Sequence, residues 1–175
     1  MEALLVIDVQ CGMFANPAFP PHEGEAVVSR IAGLLRTALA VGTPVVFVQH
    51  DGGVGDPLDR NSPGFAFRPE IAPLPSEPVV VKHFCNAFQE TELAGLLAAR
   101  GIDALTLCGM QTEFCVDTTV RTAFGHGLKV ILVSDAHTSM DSATISAGTI
   151  IAHHNATLRD GGFTTLRKAK EIRFG

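Results

Sequence analysis

Three side chains in this sequence have the types and settings needed for acyl chemistry: the thiol of Cys115, the carboxylate of Asp8 and the ammonium of Lys82. Asp8 follows the apolar run Leu4-Leu5-Val6-Ile7, and Lys82 follows Val79-Val80-Val81. Cys115 ends the turn Gly109-Met110-Gln111-Thr112-Glu113-Phe114, just beyond the apolar run from Ala104 to Leu107. A thiol whose proton passes to a carboxylate attacks a carbonyl carbon, and a nearby cation steadies the negative charge that develops. Each residue also has a plain structural reading. Cys115 could be a small buried side chain, Asp8 the cap of a turn, and Lys82 a strand-end lysine in solvent. Together they describe a site that none describes alone.

Placing the three together requires elements that end at a common edge. Short apolar runs at 4–7, 45–48, 79–81, 104–107, 129–133 and 163–166 read as strands, since they are continuous and bounded by Gly, Pro or polar clusters. Between them lie helical patterns. Val27, Ile31, Leu34, Leu35 and Ala38 form one stripe within 24–41, and Leu93, Leu96 and Leu97 mark a helix ending near Gly101. A third helix is expected over 112–125 and a fourth from about Asp141 to Arg159. The stretch 52–76, rich in Gly and Pro, reads as a long surface loop. Strands alternating with helices predict a three-layer, doubly wound α/β domain: a six-stranded, mostly parallel sheet with helices on both faces, spanning 1–175 as one domain. Ligands bind such sheets beyond the carboxyl ends of the strands, where Asp8, His50, Lys82 and the 109–115 turn should lie. Thr112 is a candidate N-cap, which would put Cys115 at the third helical position, beside the positive end of the helix dipole and its unpaired N–H groups.

Composition narrows the partners. Apolar residues make up 46% and charged residues 18% of the 175 residues, with a formal net charge of -5 and no basic cluster. That balance suits a globular chain and argues against a nucleic-acid or anionic-membrane surface. No basic leader precedes the first apolar run, and no run approaches the ~20 residues of a membrane span. The four cysteines, Cys11, Cys85, Cys108 and Cys115, show neither zinc-ribbon spacing nor a secreted disulfide framework. A cytoplasmic protein is expected, with Cys11, Cys85 and Cys108 as small buried residues.

The motifs Leu5-Val6-Ile7-Asp8-Val9-Gln10, Lys82 with Asn86-Ala87-Phe88 and Thr91, Gly109 to Val116 with Thr119 and Arg121, Val133-Ser134-Asp135-Ala136, and His154-Asn155 resemble the isochorismatase-like cysteine hydrolase family. The resemblance covers nearly the whole chain in the family's order. It implies Cys115 as nucleophile, Asp8 as general base and Lys82 as electrostatic partner. It also implies a non-proline cis peptide between Met110 and Gln111, with the Gln111 and Cys115 N–H groups forming an oxyanion hole. The implied reaction is hydrolysis of a small amide, carbamoyl compound or cyclic amide through a thioester, by a homodimer or homotetramer.

Two departures refine that expectation. Isochorismatases proper act on a vinyl ether without a catalytic cysteine, so Cys115 favours amide hydrolysis. Nicotinamidases place a metal-binding Asp-x-His after the second strand, whereas this chain reads His50-Asp51-Gly52-Gly53. No metal and no cofactor are therefore expected, and nicotinamide becomes a secondary candidate. His50, Phe14, Met110 and Phe114 are the candidate pocket residues; His153, His154 and the other loop phenylalanines default to structural roles. A reading of another class, a thiol redox sensor or an inactive binding scaffold, stays open, although no resolving cysteine is evident from sequence.

Overall fold

The computed structural model describes residues 1–175. Six strands, β1 (Glu2–Ile7), β2 (Val45–His50), β3 (Val79–Lys82), β4 (Ala104–Met110), β5 (Lys129–Thr138) and β6 (Thr165–Arg167), form one sheet in the order β3-β2-β1-β4-β5-β6. Every pairing is parallel, so the sheet is wholly rather than mostly parallel. Four helices accompany it: α1 (Gly24–Ala40), α2 (Leu93–Ala99), α3 (Asp117–Gly125) and α4 (Ala147–Asp160).

The strand order dictates which face each helix covers. From β1 the chain steps outward to β2 and β3, then returns past β1 to build β4, β5 and β6 in the opposite direction. With right-handed crossovers, reversing the direction of growth moves the connecting helix to the other face. Two cores result. On one face Leu4, Val6, Phe47 and Cys108 pack against Val27, Val28, Ile31, Leu34, Leu35 and Ala38 of α1. On the other, Leu5, Ile7, Val48 and Leu107 meet Leu93 and Leu97 of α2, Val120 and Ala123 of α3, and Leu158 of α4. The alternation along β1 is the period-2 pleat expressed in a strand covered on both sides. Burial of the α1 stripe alone contributes on the order of 10 kcal/mol.

Elements whose boundaries depend on tertiary partners differ from the sequence reading. β5 runs on through Ser134–Thr138 because a register shift opposite β4 lets His137 and Thr138 pair with Gly109 and Met110. α4 starts at Ala147 rather than near Asp141: Ser146 caps it by accepting from the Thr149 N–H, and the Asp141 carboxylate accepts from the Ala147 N–H at 2.8 Å. The expected Thr112 cap is absent. Residues Thr112–Val116 form a π-helical turn leading into α3, with extended Gln111 at its boundary.

β1 and β4 diverge at the topological switch point, and Gly109 makes their close approach there. Its φ is +130°, and a Cβ at this position would lie 2.1 Å from the Ile7 carbonyl oxygen. Gly109→Ala is therefore expected to destabilise the fold by about 3 kcal/mol or more, since the clash is with backbone and the φ is strained for alanine. Urea denaturation monitored by circular dichroism measures this; an unchanged midpoint would show that the strands can part without cost.

Candidate active site

The three residues singled out from sequence meet at the switch point. Asp8 follows the last residue of β1 in the left-handed conformation, φ +52°, which turns its carboxylate away from the alternation of the strand. Lys82 ends β3, two strands away, and its long side chain runs back beneath His50. The Lys82 Nζ lies 2.7 Å from Asp8 Oδ2, 3.2 Å from Cys115 Sγ and 3.2 Å from His50 Nδ1. Asp8 and Lys82 are both 0% exposed and Cys115 is 7% exposed. Apart from the ion pair, neither Asp8 oxygen has a well-aligned hydrogen bond, so the carboxylate keeps acceptor capacity beside the thiol.

Burial sets the resting protonation states. It pushes the Asp8 carboxyl above its ordinary value, against the opposing pull of Lys82. Burial would lower Lys82, yet the charges of Asp8 and Cys115 outweigh it and hold the ammonium proton more tightly than usual. Burial and the Asp8 charge also raise the Cys115 thiol, with Lys82 opposing. Burial thus favours the neutral thiol of Cys115 and works against ionisation of Asp8, while Lys82 favours the charged form of both.

The Lys82 ammonium can only donate, so His50 Nδ1 accepts and His50 carries its proton on Nε2. Burial, then the Lys82 charge, lowers the His50 pKa and keeps the ring neutral. His50 is held from behind by Gln10, a fully buried amide. Gln10 donates to the carbonyls of His50 and Phe65 at 3.0 and 2.9 Å and accepts from the His50 N–H at 2.9 Å.

The 109–116 turn is anchored by a second buried chain. His137 Nδ1 lies 2.9 Å from Thr112 Oγ1, and its Nε2 lies 3.0 Å from Asn155 Oδ1. Because Asn155 Nδ2 donates to the Ser134 carbonyl, Oδ1 is the acceptor facing His137, and the Thr112 hydroxyl donates to Nδ1. Burial lowers the His137 pKa to about 4, so the ring stays neutral. The Met110–Gln111 peptide is cis, and the Gln111 N–H has no protein acceptor.

Cys115 opens onto a cleft of about 470 Å³ lined by Met13, Asn16, Phe19, His50, Asp56, Pro57, Leu58, Cys85, Gln111, Phe114 and Met140 among others. A larger cavity of about 810 Å³ lies at the amino ends of the strands, bounded by Glu2, Lys129 and Phe163, remote from the thiol. Of the pocket residues expected from sequence, His50 and Phe114 line the cleft, whereas Phe14 and Met110 do not. Met110 is 0% exposed and points with Cys108 into the core under α1, as strand alternation requires. Phe14 sits under the Arg68 guanidinium, 4.5 Å from its ring centre, on the side facing α1. Phe19, 55% exposed, takes the place at the cleft expected of Phe14.

Of the cysteines expected to be buried, only Cys108 is; Cys11 is half-buried and Cys85 is exposed at the cleft. Asp51 ties down the following loop, accepting from Arg60 Nε at 2.5 Å and from the Gly53 N–H at 3.1 Å. No group of three or more His, Cys, Asp or Glu side chains is arranged to hold a metal ion. No helix is long and apolar enough to cross a membrane. His154 bonds Asp117, which also pairs with Arg121, bracing α4 against α3. Gln10, Thr112, His137 and Asn155 lay outside the residues to which sequence assigned site roles. The available signal was polar side chains interrupting otherwise apolar or strand-like stretches.

Fold and site together define a doubly wound α/β protein with a thiol, a carboxylate and an ammonium gathered at its switch point. The chain belongs to the isochorismatase family: the Isochorismatase domain matches residues 2–157. It is 39% identical over 141 residues to streptothricin hydrolase of Streptomyces noursei, covering 81% of this chain and 51% of that protein, so it spans about half the length of that relative. It is 34% identical over 151 residues to maleamate amidohydrolase of Pseudomonas putida, covering 76% of this chain and 70% of that one. The fold matches the crystal structure of an isochorismatase from Pseudomonas putida KT2440 with a TM-score of 0.93 at 32% identity, over 98% of this chain and 89% of the other.

Proposed function

We propose that the protein hydrolyses a small amide, carbamoyl or cyclic amide substrate through a thioester on Cys115. The observation that carries this reading is the position of Lys82 Nζ, within 3.2 Å of both the Asp8 carboxylate and the Cys115 thiol at the base of one cleft. The names of the relatives, streptothricin hydrolase, maleamate amidohydrolase and ureidoacrylate amidohydrolase, support the same reaction class.

As the substrate carbonyl approaches, Sγ attacks its carbon and the thiol proton passes to Asp8. Raising a carboxyl toward the working pH strengthens it as a base, so burial of Asp8 serves this transfer. The developing oxyanion is received by backbone N–H groups, of which Gln111 has a free donor. Asp8 then gives its proton to the departing nitrogen, and the C–N bond breaks. Water attacks the thioester and its proton goes to Asp8; as the C–S bond breaks, Asp8 passes that proton to Sγ, which releases the acid and restores the thiol and the carboxylate. Lys82 stays charged throughout and offsets the negative charge as it moves between Asp8, sulfur and oxyanion, at a strength that a dry site enhances.

The test is intact-protein and peptide mass spectrometry after mixing with small primary amides and lactams, run beside ammonia release. An acyl adduct on Cys115 that turns over is expected. Hydrolysis that survives in Cys115→Ala would overturn the thioester route. Cys85 in the same cleft supplies the second thiol that a redox sensor would need. Against that reading, burial pushes the Cys115 thiol up and so disfavours the thiolate through which oxidation proceeds.

A further inference from the structure

The cleft over Cys115 is unusual in its charge. Its lining includes no lysine or arginine; its polar members are Asn16, His50, Gln111 and one carboxylate, Asp56. Lys82 lies beneath the lining, and its charge is balanced at 2.7 Å by Asp8. His50 is neutral, because Lys82 fixes its acceptor nitrogen and burial lowers its pKa. Nearby Arg60 is committed to Asp51.

Asp56 is also placed rather than loose. Its Oδ1 accepts from the Leu58 N–H at 2.8 Å, which leaves Oδ2 open, and its carboxyl packs so closely on Gly52 that a Cβ there would fall 2.3 Å from it. The same loop is packed against the Cys11–Phe14 turn on another wall of the cleft, since a Cβ on Gly12 would lie 2.4 Å from the Pro57 carbonyl oxygen. The remaining walls, Met13, Phe19, Leu58, Phe114 and Met140, are apolar.

Resting on the amide-hydrolase reading, we propose that this cleft selects amides whose far end is cationic over those bearing a carboxylate, with Asp56 as the residue that decides. A carboxylate entering here meets no cation, loses water against apolar walls and faces Asp56, whereas an ammonium finds a counter-charge at the rim. Because Asp56 is exposed, the pairing itself is modest and screened by salt. The larger part of the discrimination is the rejection of anions.

Two measurements test this, the second independent of turnover. In the first, β-alaninamide, butyramide and succinamate present the same amide with a cationic, neutral or anionic end. The kcat/KM is expected to fall in that order by about 10-fold or more from first to last, mostly through KM, with the spread shrinking in Asp56→Asn and at high salt. In the second, Cys115 in a Cys85→Ser background is modified by methanethiosulfonates carrying an ammonium, no charge or a sulfonate, with rates read by peptide mass spectrometry. The ammonium reagent is expected to react fastest and the sulfonate slowest, and Asp56→Arg should invert the order. If none of the three amides is hydrolysed, the order of the modification rates decides the charge selection. Equal or faster reaction of the sulfonate, or of succinamate, overturns the charge selection while leaving the Cys115 mechanism standing. Correct charge order with hydrolysis persisting in Cys115→Ala overturns the mechanism alone.

Discussion

Replacing Cys115 with alanine is expected to lower kcat by about 10⁴-fold or more, because the other thiol at the cleft, Cys85, lies outside the contacts with Lys82 and Asp8 that serve Cys115. The fold should change little. The Asp8–Lys82 pair remains intact beneath, and removing one buried sulfur costs ~1 kcal/mol, a fall in melting temperature of about 2–4 °C for a chain of this size. Cys115→Ser should be nearly as inactive: a buried hydroxyl is far less acidic than a thiol, and Asp8 is a weak base for it. Steady-state ammonia release beside calorimetry separates loss of chemistry from loss of structure. Activity within tenfold of the parent in either variant would remove the thioester from consideration.

Asp8→Asn carries the second large effect: a loss of about 10³- to 10⁴-fold in kcat and the disappearance of the acid limb of the kcat/KM profile. The sign follows from burial. Asp8 titrates above its ordinary value of 3.8, and only its carboxylate form accepts the thiol proton, so parent activity rises with pH through that raised value. Lys82 titrates above its ordinary 10.5, so the alkaline limb from this residue should not fall below that pH. The limbs belong to the interacting trio as a unit. Stability follows the same linkage. The raised Asp8 contributes stability below its unfolded pKa and loses it as pH rises through the folded value. Lys82 contributes stability below its unfolded pKa and loses it through its own raised value. Near neutrality Asp8 alone is thus a cost, which Lys82 offsets. Asp8→Asn leaves the ammonium buried without its counter-charge and should destabilise the fold by ~3 kcal/mol. Assays well below the variant's melting temperature keep the two effects apart. An acid limb that persists unchanged would assign the base elsewhere.

The elements legible in the sequence are those whose burial is encoded locally. β1, β2 and β4 are covered on both faces and read as unbroken apolar runs, and α1 shows its stripe because one side faces the sheet and the other faces water. Asp8 and Lys82 were legible because each ends such a run, and Cys115 because it closes the turn that follows one. What stayed hidden depends on contacts distant in sequence. The polar second half of β5 is a strand only because β4 shifts register beside it. Thr112 has the right type to cap a helix, yet its hydroxyl is taken by His137, 25 residues on. Phe14 and Phe19 are indistinguishable by local pattern, and only the packing of Arg68 on Phe14 decides which reaches the cleft. Cys85 gave no sign of its exposure at the cleft, since it follows a buried strand in a stretch of mixed polarity.

The reactive groups stand on the sheet and on the turn that follows β4, whereas residues 12–19 and 52–58, which wall the cleft, belong to loops that no strand pairing constrains. Bond cleavage and guest preference therefore reside in separate parts of the chain, so the rim can be lengthened or recharged while the reacting core stays as it is. Grafting a rim segment from one paralogue to another should transplant its appetite without rebuilding its machinery.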